Sequence, residues 1–317
     1  MLNLIPVIGL ASPVQLLRAL PGSVAQGLIW GVMAIGVYIT FKILDFADLT
    51  VDGSLATGGA AAVMMILSGH SAVAAMVVAL IAGMLAGLVT GILHTLLGIP
   101  DILSGILTQL ALYSVNMHIL GRSNQAVSVD RFNLILSSRY ITPAIITTVI
   151  IILVIVAILY WYFGTEQGFT IRATGCNENM ARAQGIDTRI AKVLALVLSN
   201  GLVGFAGGLY AQYQGFADVN MGRGAIVIGL ASVIIGEVLG EAIFGKHLNF
   251  SGRLLFAAIG GIIYYVVIQF VLWLGLNSND TKLFSATVVA IFLAVPYLQA
   301  KARNSYRKAA KGGSKSC

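Results

Sequence analysis

Apolar runs of about 17 to 25 residues, each closed by a short polar stretch, recur along the whole chain. That is the length a helix needs to cross the hydrocarbon core of a bilayer, where each backbone amide must find its partner within its own segment. The chain is therefore expected to be all-α: a polytopic bundle of membrane helices with about nine spans. Composition agrees, since 58% of the 317 residues are hydrophobic and 10% charged, whereas about a quarter are charged in a soluble domain.

The apolar runs place spans near residues 24–41, 49–67, 72–97, 102–120, 144–163, 190–213, 225–244, 254–274 and 284–297. Residues 1–20 carry Pro6, Pro13 and Arg18 and read as an interfacial or re-entrant segment, with a cleaved signal or a first span as the alternatives. Residues 21–300 form the transmembrane domain, and residues 301–317 a basic tail. Most of the 19 Lys and Arg fall on one proposed side, at Lys42, Arg172, Arg182, Arg189, Lys192, Lys246, Arg253 and the tail. By the positive-inside bias that side is cytoplasmic, in a multi-pass protein of the plasma membrane. The formal charge of +7 thus points to lipid headgroups rather than to nucleic acid.

The polar loop 165–190 holds a short helix signal. Asn177 is an N-cap, Glu178 sets a negative charge in the first turn ahead of Asn179, Met180 to Gln184 (with Ala181, Arg182 and Ala183) favour helix, and Gly185 before Ile186 suits a left-handed end. Such a rod is long enough to fill a groove in a partner and too short to cross a bilayer.

The second span is glycine- and threonine-rich. Thr50, Asp52, Ser54 and Thr57 in such a segment fit a broken helix lining a cavity. Phe46-Ala47-Asp48 recurs as Phe216-Ala217-Asp218, at the start of spans opposite in orientation, which predicts an inverted repeat with a pathway between its halves. Polar candidates to line it are Thr50, Asp52, Ser54, Thr57, Gln109, Asn116, Asn220, Ser232 and Glu237. Gly83, Gly87 and Gly91 share one helical face, a packing surface, and His94 is expected to bond between helices. The apolar fifth span should face lipid, with Tyr160, Trp161 and Tyr162 at its end forming an aromatic belt.

No phosphate-binding loop and no His/Cys/carboxylate cluster of metal-site spacing occurs, so no catalysis, metal or cofactor is expected.

The words Asn177-x-x-x-Ala181-Arg182-x-x-Gly185-Ile186, Gly204-Phe-Ala-Gly-Gly208, Asp48-Leu-Thr-Val-Asp-Gly53 and Gly229-Leu-Ala-Ser-Val-Ile-Ile-Gly236 resemble the permeases of ABC importers of the branched-chain amino acid and ribose type. Phe46-Ala-Asp-Leu-Thr-Val-Asp52 and Ile235-Gly-Glu-Val-Leu-Gly240 resemble a subgroup linked to tryptophan or tyrosine uptake. The resemblance implies that residues 177–186 dock on an ATP-hydrolysing subunit. It also implies a second permease copy and an extracytoplasmic solute-binding protein. An ion-coupled secondary transporter and a passive channel are the competing classes, and the first of these needs an ionisable group at mid-depth, for which Asp52 and Glu237 are the candidates.

Overall fold

The computed structural model describes residues 13–245, 248–274, 283–284, 286–291 and 294. Ten α-helices follow one another within the stretch up to residue 274: α1 Pro13–Tyr38, α2 Val51–Leu67, α3 Ala72–Thr95, α4 Asp101–Leu120, α5 Ile141–Tyr162, α6 Glu166–Cys176, α7 Glu178–Ala183, α8 Thr188–Gln214, α9 Ala225–Phe244 and α10 Phe250–Trp273. Seven helices are long and apolar enough to cross a membrane: α1 with its continuation to Ile43, then α3, α4, α5, α8, α9 and α10. The shorter α2 is apolar as well. Residues 285, 292–293 and 295–297 of the proposed ninth span and the whole tail lie outside the described residues.

α1 is central because its apolar residues run all round it, and every residue from 27 to 40 is buried. Residues 13–20 of the proposed N-terminal segment open this helix, while residues 1–12 lie outside the described part. At its far end the helix widens into a π turn, Ile39–Ile43. The chain then runs without regular structure to Thr50, with Leu44, Phe46 and Asp48 buried, before α2 begins. The break expected in the second span therefore precedes that helix instead of interrupting it.

Small residues decide which helices touch. α3 lies along α8, with Gly83 against Asn200 and Gly204, Gly87 against Leu196 and Gly91 against Val193, as the shared glycine face predicts. α1 lies along α10 in the same manner, with Gly27 and Gly31 against Gly261, Ile262 and Ala258. α2 sits on α8, α3 and α4, and α9 on α10 and α1.

α5 stands at the periphery. Ala144, Thr148, Ile152, Val156 and Leu159 turn inward, while Ile146, Ile150, Leu153, Ile158 and Trp161 are exposed, the stripe expected of a helix with lipid on one side. One feature had no signal in the apolar pattern: β1 (Asn124–Ala126), in the loop after α4, pairs antiparallel with β2 (Phe216–Asp218), just after α8. Three-residue strands fall below any periodicity that could reveal them.

Candidate functional site

α2 and α9 meet at their first turns. The Asp52 carboxylate accepts the amides of Gly224 at 2.9 Å and Ile226 at 2.8 Å, so a side chain on the first turn of α2 completes the N-terminus of α9. Orphan amides at a helix start favour an anionic partner, and here that partner comes from another helix. Gly222 lies against the Asp52 carbonyl, where a side chain would collide.

A cavity of about 320 Å³ opens at this junction, lined by Asp52, Gly53, Gln109, Leu110, Tyr113, Asn116, Val219, Asn220 and Arg223. Four of the residues singled out by sequence meet there: Asp52, Gln109, Asn116 and Asn220. The Asn116 side chain is buried and its Oδ1 has no hydrogen-bond partner, which leaves a free acceptor at the wall. Tyr113 and Arg223 were not singled out by sequence, because an aromatic residue on a membrane helix and a cation in a turn are both ordinary there. With an acid, a guanidinium, amides and a phenol on its wall, the cavity is suited to a small solute bearing both charge signs.

Thr50 and Ser54 fall behind that wall, in a buried polar web. Asp48 Oδ1 accepts the Thr50 amide at 2.9 Å and Oδ2 accepts the Asn200 amide group at 2.6 Å. Ser54 donates to Asn200 Oδ1 at 2.6 Å, and hydroxyls link Thr50, Thr90 and Thr108. Asp48 was visible in sequence only within longer motifs, and its bond to Asn200 shows why it is there: the pair ties the unwound chain to α8. Thr57 bonds back to the Gly53 carbonyl within α2.

Ser232 and Glu237 are placed away from the cavity. Ser232 is buried, bonds to the Ile228 carbonyl and packs beside Gly260 of α10. Glu237 reaches Lys42 at the end of the π turn, with 2.6 Å between Oε2 and Nζ. Both lie further along α9 than its first turn, where the cavity opens, and the apolar pattern carries no information on which face a lone polar residue takes.

The 165–190 loop folds into α6 and α7. Asn177 caps α7 by accepting the Met180 amide at 3.0 Å. The helix closes with Gly185 at φ +82°, whose amide bonds the Arg182 carbonyl, while the Ile186 amide reaches the Ala181 carbonyl. This is the left-handed ending expected of a glycine one past the cap. Ala181 is buried, whereas Asn179, Met180, Ala183 and Gln184 are exposed, Met180 by 64%.

Charges fasten this rod to the bundle. Glu178 binds Arg182 through Oε1 and Lys192 of α8 through Oε2 at 2.9 Å, and Arg182 Nε donates to Thr188 at 3.0 Å. The hydrogen bond from the Lys192 ammonium, with the positive charges of Lys192 and Arg182 around it, holds the Glu178 carboxyl below the usual carboxylate range. Lys192 also approaches His94 Nε2 at 3.5 Å, while His94 Nδ1 bonds the Ile99 carbonyl and its ring meets Phe46 edge-on at 5.0 Å. From α7 to the unwound segment there is thus a continuous chain of polar and ring contacts. Gly175 of α6 adds a second route by lying directly on the Ile43 carbonyl.

Seven apolar helices long enough to cross a bilayer, with a polar cavity among them, define a multi-pass membrane protein. The chain belongs to the family described as branched-chain amino acid transport system / permease component, whose model matches residues 20–296. It is 38% identical over 283 residues to the tyrosine transport system permease protein of Clostridioides difficile (strain R20291), covering 89% of this chain and 93% of that one. An uncharacterised protein of Rickettsia prowazekii (strain Madrid E) is 32% identical over 85% of this chain and 94% of its own length. The D-allose transport system permease protein of Escherichia coli (strain K12) is 30% identical over 42% of this chain and 38% of its own. No solved structure matches the chain. It is a permease component of a transport system and not an enzyme.

Proposed function

We propose that the chain is the membrane subunit of an ATP-binding-cassette importer that moves a small polar solute, an amino acid in the first instance, through the cavity between α2 and α9. One observation carries this reading: a capped, largely exposed rod, α7, is held by the Glu178–Lys192 ion pair to α8, and Lys192, His94 and Phe46 continue the contact to the unwound segment before α2. Such a rod is a handle for a second protein. ATP hydrolysis then belongs to a partner ATPase, and a second permease copy and an extracytoplasmic solute-binding protein complete the system. The loop and the tail lie in the cytoplasm on this reading.

About nine spans are expected, counting α2 and the segment around residues 284–297 with the seven long helices. An inverted repeat relates the halves, and packing supports it. Gly27 meets Gly261 as Gly204 meets Gly83, so α1 on α10 mirrors α8 on α3. Asp48 and Asp218 each accept the amide two residues on. Alternating access then means rocking one half against the other.

The tyrosine named for the Clostridioides difficile relative is the first compound to test. Proteoliposomes holding the chain, its ATPase and its binding protein should accumulate tyrosine when ATP is inside reach of the ATPase, with no ion gradient present. Accumulation driven by an ion gradient without ATP would instead establish the secondary-transporter class. The structure gives that class little to use, since Glu237 is neutralised by Lys42 and Asp52 is spent on helix amides.

A further inference from the structure

At the end of α5, on the side where α6 begins, a groove of about 410 Å³ is lined by Tyr160, Trp161, Phe163, Gly164, Thr165, Phe169, Arg172 and Phe250. Arg172 stands in it without a counter-ion. Its guanidinium lies 4.3 Å from the Phe250 ring centroid, 5.5 Å from Phe163 and 6.0 Å from Phe169, and no carboxylate bridges it among the described residues. Stacking satisfies the faces of a guanidinium and leaves its in-plane N–H donors unused, which is the geometry that receives a phosphate.

The rim is apolar and uncovered: Trp161 is 71% exposed and Phe169 60%. The exposed stripe of α5, Ile146, Ile150, Leu153 and Ile158, runs straight to Trp161. A ligand filling this site therefore needs an anionic head at Arg172 and a long apolar body along α5. Lipid supplies both, because α5 is a membrane span and its aromatic end marks headgroup depth. We infer that this groove is a binding site for one anionic phospholipid, its phosphate on Arg172 and an acyl chain along the outer face of α5.

The full-length chain in vesicles tests this directly through Trp161, whose emission is the difference between the wild type and Trp161→Phe. Brominated phosphatidylglycerol should quench that emission at a membrane fraction about fivefold lower than brominated phosphatidylcholine, the preference one close cation confers. Arg172→Gln should erase the preference and Arg172→Lys should keep most of it. If Arg172→Gln does not fold, Phe169→Glu serves, since an exposed side chain is exchanged for a carboxylate that neutralises Arg172 from within; it too should erase the preference. Equal quenching by the two lipids, as a groove covered by a protein partner would give, overturns the inference. So does a preference that survives Phe169→Glu, or one abolished by millimolar inorganic phosphate, which would make the site a free-anion site.

Discussion

Asp52 is the residue on which the cavity depends, because one carboxylate both forms its wall and completes the first turn of α9. Asp52→Ala should cost about 1–2 kcal/mol, as loss of a helix cap does, and should abolish most uptake by freeing the start of α9. A melt of the purified protein and an uptake assay read the two effects separately; unchanged transport in a destabilised protein would remove Asp52 from the pathway. Glu178 gives a test by pH. Its folded carboxyl titrates below the ordinary value of about 4.3, so its contribution is complete above that value and is lost as the pH falls through the depressed one. Because the group is part exposed, the stake is about 0.2–1 kcal/mol per ion pair. Amide hydrogen exchange over residues 177–185 should hold steady down to the ordinary carboxylate range and rise below it, and Glu178→Gln should flatten the profile.

At the scale of the element, α7 shows what a sequence makes legible. Its start, its end and the left-handed Gly185 were all predictable, since caps are encoded by the residues that form them. The role of Arg182 was not. The resemblance implied docking by the whole of residues 177–186; within it the Arg182 guanidinium is engaged by Glu178 and Thr188, and Met180 stands outward. Pairing among neighbours in space is decided by tertiary packing and leaves no periodic trace. On this geometry Met180→Glu should weaken ATPase capture about tenfold or more while leaving the melting temperature unchanged, a charge on an apolar contact being the usual way to spoil one. Gly185→Val, forced to φ +82°, should instead lose about 1–2 kcal/mol of local stability first and capture second. Co-purification with the ATPase beside a melt distinguishes the two. The π turn after α1 and the short β1–β2 ribbon belong to the same lesson, since neither has a composition of its own.

For the whole molecule, the apolar runs foretold the helical bundle and the glycine face foretold a close packing surface on α3, while its partner, α8, needed the fold. The cavity was legible in part: Asp52, Gln109, Asn116 and Asn220 could be named from polarity, whereas Tyr113 and Arg223 needed the fold. What remains to be tested at this scale is sidedness, and the chain carries its own probe. Cys176 is exposed at the last position of α6, and Cys317 is the other cysteine in the sequence. In a Cys317→Ser chain, a membrane-impermeant maleimide should leave intact cells unlabelled and should label inverted vesicles, as a cytoplasmic loop requires. Adding the ATPase to those vesicles should then slow the labelling, because Cys176 is one residue from the capped start of α7. Labelling of intact cells would reverse the orientation. Equal labelling with and without the ATPase would keep the orientation while taking the handle away from α7, since a partner that grips Met180 must also crowd the thiol beside Asn177.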